Sequence, residues 1–96
     1  MDDLKSDLKI QIFTELELYE LVGEKINEIT FETPLFNNPY LHLDSIDALR
    51  IIGLLRKIYN VRIRDISLGE KVLYSINTIA EFVQEQNKIK SNNSNV

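Results

Sequence analysis

A serine between two aspartates, in the run Asp44-Ser45-Ile46-Asp47, is the part of this sequence best equipped for chemistry. A serine hydroxyl can act as a nucleophile, but a hydrolase also needs a general base and an oxyanion hole. His42 is the only histidine of the chain, and the residues beside Ser45 include none of the glycines of a nucleophile elbow. The sequence therefore argues against a hydrolase.

Metal binding is the second chemistry that these residues suggest. His42, Asp44 and Asp47 carry suitable ligand atoms, yet their spacing matches neither a calcium loop nor a zinc motif. The chain has no cysteine, which excludes disulfides, thiolate metal sites and cysteine nucleophiles. We interpret His42 as a loop residue rather than a ligand, and any thiol chemistry has to come from an attached group.

The same run also predicts the start of a helix. Asp44 can accept hydrogen bonds from the first turn, and a carboxylate three residues later, Asp47, gives an arrangement close to a capping box. Such a cap is worth about 0.5–2 kcal/mol and requires no further function. It leaves the Ser45 hydroxyl free, and an anion attached there would meet free backbone N–H groups and the positive end of the helix dipole.

The elements that position this run follow from the spacing of apolar residues. Spacings of three and four predict helices over residues 2–18, residues 44–60 and from Ser75 or Asn77 onward, with a short helix near residues 68–73. Turn-forming residues are frequent between the first two helices, so residues 19–43 are predicted to be a long loop. The predicted fold is therefore all-α, a small bundle of three main helices plus one short helix.

Individual apolar side chains are expected to hold these elements together. In the long loop, which has room for one helical turn over residues 22–29, the predicted anchors are Ile26, Ile29, Phe31, Leu35 and Phe36. In the second helix, the apolar series is Ile46, Leu49, Ile52, Leu55, Ile58 and Tyr59. In the last helix, the predicted buried face is Ile76, Ile79, Ala80 and Val83, with Phe82 near its edge.

Length and composition indicate a single domain. The chain has 96 residues, of which 44% are hydrophobic and 27% charged. We assign residues 1–87 to the domain and residues 88–96, mostly Lys, Asn and Ser, to a disordered polar tail. Every apolar run is far shorter than the roughly 18–20 residues of a membrane span, and the acidic N-terminus does not resemble a secretory signal. We expect a cytoplasmic monomer.

Charge is distributed unevenly along the chain. Residues 1–40 hold three lysines and nine acidic residues, a net charge of −6, whereas residues 41–66 hold five basic and three acidic residues, a net charge of +2. Five basic residues within a chain of net charge −4 provide little attraction for the phosphate backbone of a nucleic acid. We therefore expect no nucleic-acid partner.

Four stretches of this sequence together resemble the acyl carrier proteins, and the likeness covers roughly residues 4–87. The stretches are Pro34-Leu35-Phe36, Leu41-His42-Leu43-Asp44-Ser45-Ile46-Asp47-Ala48-Leu49, Ile58-Tyr59-Asn60-Val61-Arg62-Ile63 and Ser75-Ile76-Asn77-Thr78-Ile79-Ala80-Glu81-Phe82-Val83. The short Asp-Ser-Ile-Asp core is a weak signal alone and gains weight from its position at a loop-to-helix junction in a chain of this size.

The resemblance implies a function that is not enzymatic. Ser45 would carry 4'-phosphopantetheine, transferred from coenzyme A by a magnesium-dependent phosphopantetheinyl transferase, with Asp44 and Asp47 as the flanking motif. The thiol of that group would hold an acyl chain as a thioester. The expected partners are the transferase and the enzymes that load and process the acyl chain, which dock on the helix after the serine.

The sequence departs from the family on this docking helix. Many family members carry glutamates where this chain has Arg50, Arg56 and Lys57, and a larger apolar residue where it has Gly53. Ile46 completes the expected docking residues. Since complementary charge selects partners, we expect enzymes with acidic docking surfaces and a specialised fatty-acid, lipid or polyketide-type pathway. Position 42, often glycine in the family, is His42 here.

Two other functions remain open at this point. The approach to the serine lacks the Gly-Gly-His-Ser pattern common in aminoacyl and peptidyl carriers, so an acyl cargo is favoured over an amino acid. The chain can also be an unmodified carrier-like module that uses its basic helix to bind an acidic partner. Modification of Ser45 would distinguish this module from a carrier.

Overall fold

A computed structural model describes residues 2–94, which form an all-α fold. The elements in chain order are α1 (Asp2–Glu15), α2 (Leu18–Val22), a 3-10 helix (Gly23–Glu28), α3 (Ser45–Tyr59), α4 (Ile66–Val72) and α5 (Ile76–Ser94). Within this part of the chain there is no β-strand, and a single isolated bridge joins Phe36 to Leu43. The predicted bundle of three main helices, α1, α3 and α5, is confirmed.

The segment that follows α1 is more helical than predicted. We expected the first helix to reach residue 18, but it ends at Glu15, and Glu17 adopts a left-handed conformation with φ 57°. The chain then forms α2 and the 3-10 helix, so the irregular loop is confined to residues 29–44. A left-handed residue breaks a right-handed helix, and the chain changes direction there.

Both ends of α3 match the prediction. Asp44 caps its start, and Asn60 ends it in a left-handed conformation with φ 55°, donating its N–H to the carbonyl of Arg56. Asparagine tolerates this conformation better than most residues, which explains why the helix ends there.

The short helix and the last helix are also capped by side chains. The Asp65 carboxylate accepts a hydrogen bond from the N–H of Leu68 at 2.7 Å, at the start of α4. Ser75, rather than Asn77, caps α5: its hydroxyl accepts from the N–H of Thr78 at 3.2 Å, and the Thr78 hydroxyl accepts from the N–H of Ser75 at 2.9 Å.

The end of α5 overlaps the segment that we predicted to be a disordered tail, which begins at Lys88. The structure describes α5 as continuing through Lys88 to Ser94. Helical hydrogen bonds within one chain do not require burial, so a polar sequence can extend a helix that is already nucleated. The remainder of the predicted tail, residues 95 and 96, lies outside the described residues.

One hydrophobic core joins all of the helices. From α1 it takes Leu8, Ile12 and Phe13, from α3 Ile51 and Leu55, and from α5 Ile76, Ile79, Ala80 and Val83. The predicted buried face of α5 is confirmed in full, with Phe82 partly buried beside it. In α3, by contrast, three members of the predicted apolar series are exposed, namely Ile46, which was also expected to dock partners, Leu49 and Ile58.

The loop over residues 29–44 is tied to the bundle at three points. The N–H of Leu35 donates to the carbonyl of Tyr74 at 2.8 Å, and the N–H of Asn77 donates to the carbonyl of Phe31 at 2.9 Å. The Lys9 ammonium of α1 donates to the carbonyl of Ile29 at 2.6 Å.

All five predicted anchors of this region contact the core. Ile29 and Leu35 are buried, and the other three are partly buried, namely Ile26, Phe31 and Phe36. These contacts hold the loop against the bundle and so fix the position at which α3 begins.

Among residues 2–94, no helix combines the length and the apolar character that a membrane crossing requires.

Candidate functional site

Ser45 is the first residue of α3 and is exposed to solvent. The preceding Asp44 uses one carboxylate oxygen, Oδ1, to accept from the N–H of Ile46 at 3.0 Å and from the N–H of Asp47 at 3.1 Å. In return, Oδ2 of Asp47 accepts from the N–H of Asp44 at 3.0 Å. The predicted capping box is complete, and both aspartates hold the backbone on either side of Ser45.

The capping box also changes what the helix start can bind. We expected an anion on Ser45 to lie against free N–H groups, but Asp44 already occupies the N–H groups of Ile46 and Asp47. Two carboxylates flank the serine, and like charges repel. Repulsion by these carboxylates would favour an orientation in which an anionic group on Ser45 extends away from the helix and toward solvent.

His42 lies in the turn that leads into this site and has an unusual backbone conformation. Its φ is 50°, in the left-handed region that glycine enters without strain. A glycine would therefore suit this position, and His42 itself is exposed to solvent. No group of three or more His, Asp or Glu side chains among residues 2–94 is arranged to hold a metal ion.

Arg50, predicted to dock partners, makes contacts within the protein. Its guanidinium donates a hydrogen bond to the carbonyl of Glu15, the last residue of α1, and lies 3.9 Å from the carboxylate of Asp47. The final carbonyls of a helix lack intrahelical partners and carry partial negative charge, so a cation there is stabilising. Arg50 therefore links the capping box to the end of α1.

The outer face of α3 carries an apolar patch directly after Ser45. Ile46 is 66% exposed and Leu49 is 68% exposed, far more than expected for members of a buried series. Gly53, one turn further along the same face, is exposed, and a Cβ placed on it would have no atom within 4 Å. We call Ile46, Leu49 and Gly53 the docking patch.

Basic side chains flank the docking patch. Arg56 and Lys57 lie in the last turn of α3 and are exposed, and neither forms an ion pair with any residue in the described range. An apolar centre with a charged rim is the usual anatomy of a protein interface. Of the predicted docking residues, Ile46, Gly53, Arg56 and Lys57 thus lie on one open surface.

Leu49 is the site residue that the sequence interpretation missed. It was counted with Ile46 in a series with a spacing of three, but each step of three residues rotates by about 60° away from the previous one. Ile46 and Leu55 are nine residues apart and so lie about 180° from each other on the helix. At about 100° per residue, Ile46 lies about 180° and Leu49 about 120° from the buried Leu55, so helical angles would have placed both away from the core.

Comparison of the chain with protein-family models, with curated proteins and with solved structures gave no significant match.

Proposed function

We propose that this protein is an acyl carrier that holds an acyl chain as a thioester on 4'-phosphopantetheine attached to Ser45, in a specialised fatty-acid, lipid or polyketide-type pathway. When bound, the group supplies a thiol at the end of a long flexible arm, and a thioester of that thiol is activated for transfer. The protein itself would perform no catalysis. It would present the arm and be recognised by the enzymes that act on the cargo.

The observation that carries this proposal is the placement of Ser45. The hydroxyl stands on the first, exposed residue of α3, and the backbone around it is held by the reciprocal hydrogen bonds of Asp44 and Asp47. A transferase can therefore approach a rigid, accessible acceptor. Once modified, the serine would bear a phosphodiester that the two neighbouring carboxylates repel, which keeps the arm off the protein surface and available to successive enzymes.

The docking patch supports the same proposal from the partner's side. Ile46 lies directly after Ser45, so an enzyme that covers the patch would also have the base of the arm within reach. The exposed Arg56 and Lys57 at the end of the helix favour a partner whose surface is acidic around an apolar pocket. Partners that expect an acidic helix would be rejected by like charge.

The direct test is intact-protein mass spectrometry. The protein is incubated with coenzyme A, magnesium and a broad-specificity phosphopantetheinyl transferase, and we expect it to gain one phosphopantetheine group. Ser45→Ala should gain none. Ser67→Ala is the matched control, because Ser67 is also exposed near the Asp-capped start of a helix, α4, and this variant should be modified as fully as the original.

The outcomes distinguish a carrier that is modified on Ser45 from an unmodified interaction module. Modification that depends on Ser45 alone would support a carrier. The absence of modification with several transferases, while circular dichroism shows a folded helical protein, would contradict it and leave the unmodified interaction module as the better explanation.

The expected partner class has its own test. The double variant Arg56→Glu and Lys57→Glu should improve turnover of the modified protein by a standard fatty-acid synthesis enzyme, since it restores negative charge on the partner-facing surface. Arg50 is left intact because it holds the end of α1. Lys71→Glu combined with Lys88→Glu, which changes the net charge by the same four units at exposed positions outside α3, is the control for a general change in charge. Equal turnover by all three proteins would contradict the inference about partner charge.

A further inference from the structure

In the connector between α3 and α4, apolar side chains face the core and basic side chains face solvent. Residues 61–64 are not in a helix, and along them apolar and basic side chains alternate. Val61 is buried and Ile63 is partly buried against the core, whereas Arg62 and Arg64 are exposed. Successive side chains of an extended chain point to opposite sides, so the two arginines project on the same side, about 6.6 Å apart along the chain.

A shallow, open cleft lies between this connector and α3. It has a volume of about 360 Å³ and is lined by Ile52, Arg56, Val61, Arg62, Ile63 and Arg64. A neighbouring depression of about 270 Å³ continues past Arg62 and Arg64 to Asn60 and to Gln86 of α5. Three arginines and three apolar residues, Ile52, Val61 and Ile63, thus line the larger of the two depressions. We call it the arginine cleft.

The positive charge of the arginine cleft is not neutralised within the described residues. Neither depression is lined by an acidic side chain, and Arg56, Arg62 and Arg64 make no ion pair with the side chains that the structure describes, those of residues 3–65 and 67–89. The nearest acid in the sequence, Asp65, accepts the N–H of Leu68 and caps α4. Exposed guanidinium groups of this kind bind carboxylates through paired hydrogen bonds.

We propose that the arginine cleft binds an extended acidic segment of a partner protein, one in which carboxylate side chains alternate with apolar ones. Carboxylates at every second position of such a segment repeat at the same spacing as Arg62 and Arg64. The apolar side chains between them would lie against Ile52 and Ile63. This binding does not require the modification of Ser45.

Other anionic ligands fit the surface less well. The cleft is too open to enclose most of a small molecule, as pockets for such ligands do. A long nucleic acid would meet a chain of net charge −4, in which residues 1–40 alone carry −6. A short peptide senses mainly the local charge within the screening length of about 10 Å. The favoured occupant is therefore a short protein segment.

The test is a titration of the isotopically labelled protein with an eight-residue peptide of alternating glutamate and leucine, followed by two-dimensional NMR. The peptide should shift the resonances of residues 61–64, including the guanidinium Nε–H signals of Arg62 and Arg64. Arg62→Gln combined with Arg64→Gln should weaken the affinity about tenfold or more, because two charge-assisted contacts are lost. The same peptide with glutamine in place of glutamate should not bind.

The matched control removes two positive charges elsewhere. Lys71→Gln combined with Lys88→Gln alters exposed lysines outside the cleft and should change the affinity less than about twofold. Binding that is lost equally in both double variants would overturn the proposal, as would the absence of any shift in residues 61–64. Tighter binding of tripolyphosphate or of a single-stranded DNA 12-mer at the same arginines would also overturn it, in favour of a phosphate site.

Discussion

Replacement of each of the three glycines by alanine should give three different changes in stability, and Gly53 should give the largest gain. Glycine in a helix interior costs about 0.5–1 kcal/mol relative to alanine, because it has more conformational freedom to lose on folding. Gly53 lies in the middle of α3, and a Cβ added there meets no atom within 4 Å. Gly53→Ala should therefore recover nearly the whole amount.

The other two glycines provide matched controls. At Gly69 in α4, an added Cβ would lie 3.4 Å from Cγ2 of Ile63, so the helical gain is offset in part by a tight contact. Gly23 has φ +52° in a region that side chains with a Cβ rarely adopt, and alanine there should cost about 1–3 kcal/mol. The expected order of stability is Gly53→Ala, then Gly69→Ala, then Gly23→Ala.

Thermal unfolding followed by circular dichroism measures this order. For a domain of this size, 1 kcal/mol corresponds to about 4–8 °C in Tm. Gly53→Ala should therefore raise Tm by up to about 8 °C, whereas Gly23→Ala should lower it. A Gly53→Ala variant that is no more stable than the original, or that is less stable than Gly69→Ala, would refute the assignment of Gly53 to an open helix face.

The glycine series also tests the docking patch. If the proposed partner enzymes approach α3 closely at Gly53, the added methyl group should reduce turnover by those enzymes although the protein itself becomes more stable. A simple loss of folding cannot produce this combination. Unchanged turnover would exclude close approach at this position and would leave Ile46 and Leu49 as the contacts to test.

Three further changes are expected to follow from individual contacts. Arg50→Gln should lower the free energy of unfolding, measured in urea, by about 1 kcal/mol, because it removes a charged donor from the last carbonyl of α1. The control, Arg56→Gln, should change this free energy by less than about 0.5 kcal/mol. An equal change in both variants would show that the Arg50 contact does not stabilise the fold. Burial raises the pKa of Tyr59, whose hydroxyl donates to Gln11 at 2.7 Å, so the folded state keeps this proton to higher pH than the unfolded state and stability falls as pH rises above 10.0. Tyr59→Phe should be about 1 kcal/mol less stable at neutral pH, because it loses this hydrogen bond. In denaturation series at rising pH, the variant should lack this part of the alkaline loss of stability. His42→Gly should keep or raise Tm, since glycine accepts φ 50° without strain, and His42→Val should lower it; a His42→Val variant as stable as the original would show that the turn does not require this conformation.

Local signals in the sequence were sufficient to predict the helix ends near the site. Asp44 and Asp47 form the expected capping box, Asn60 ends α3, and Ser75 caps α5. Each of these features depends on side-chain and backbone atoms within a few residues of each other, so the information is contained in a short stretch of sequence. The same reasoning explains why the exposed position of Ser45 could be predicted.

Other features depended on residues far apart in the chain. The role of Arg50 could not be predicted because its acceptor, the carbonyl of Glu15, is 35 positions away and is brought close only when α1 packs near α3. Similarly, the arginine cleft exists because the connector folds back beside α3. Apolar spacing indicated that α3 is amphipathic but placed Ile46, Leu49 and Ile58 in one series with the buried Leu55, although these three are exposed, since a spacing of three drifts around a helix.

The sequence by itself thus determined the all-α class, the caps of α3 and the exposed position of Ser45 at the helix start, because these depend on short-range hydrogen bonds and helical periodicity. Only the tertiary structure decided which face of α3 is buried and which basic side chains remain available to a partner. Burial and long-range charge contacts are properties of the packed helices, and packing is settled by the whole core rather than by any one segment.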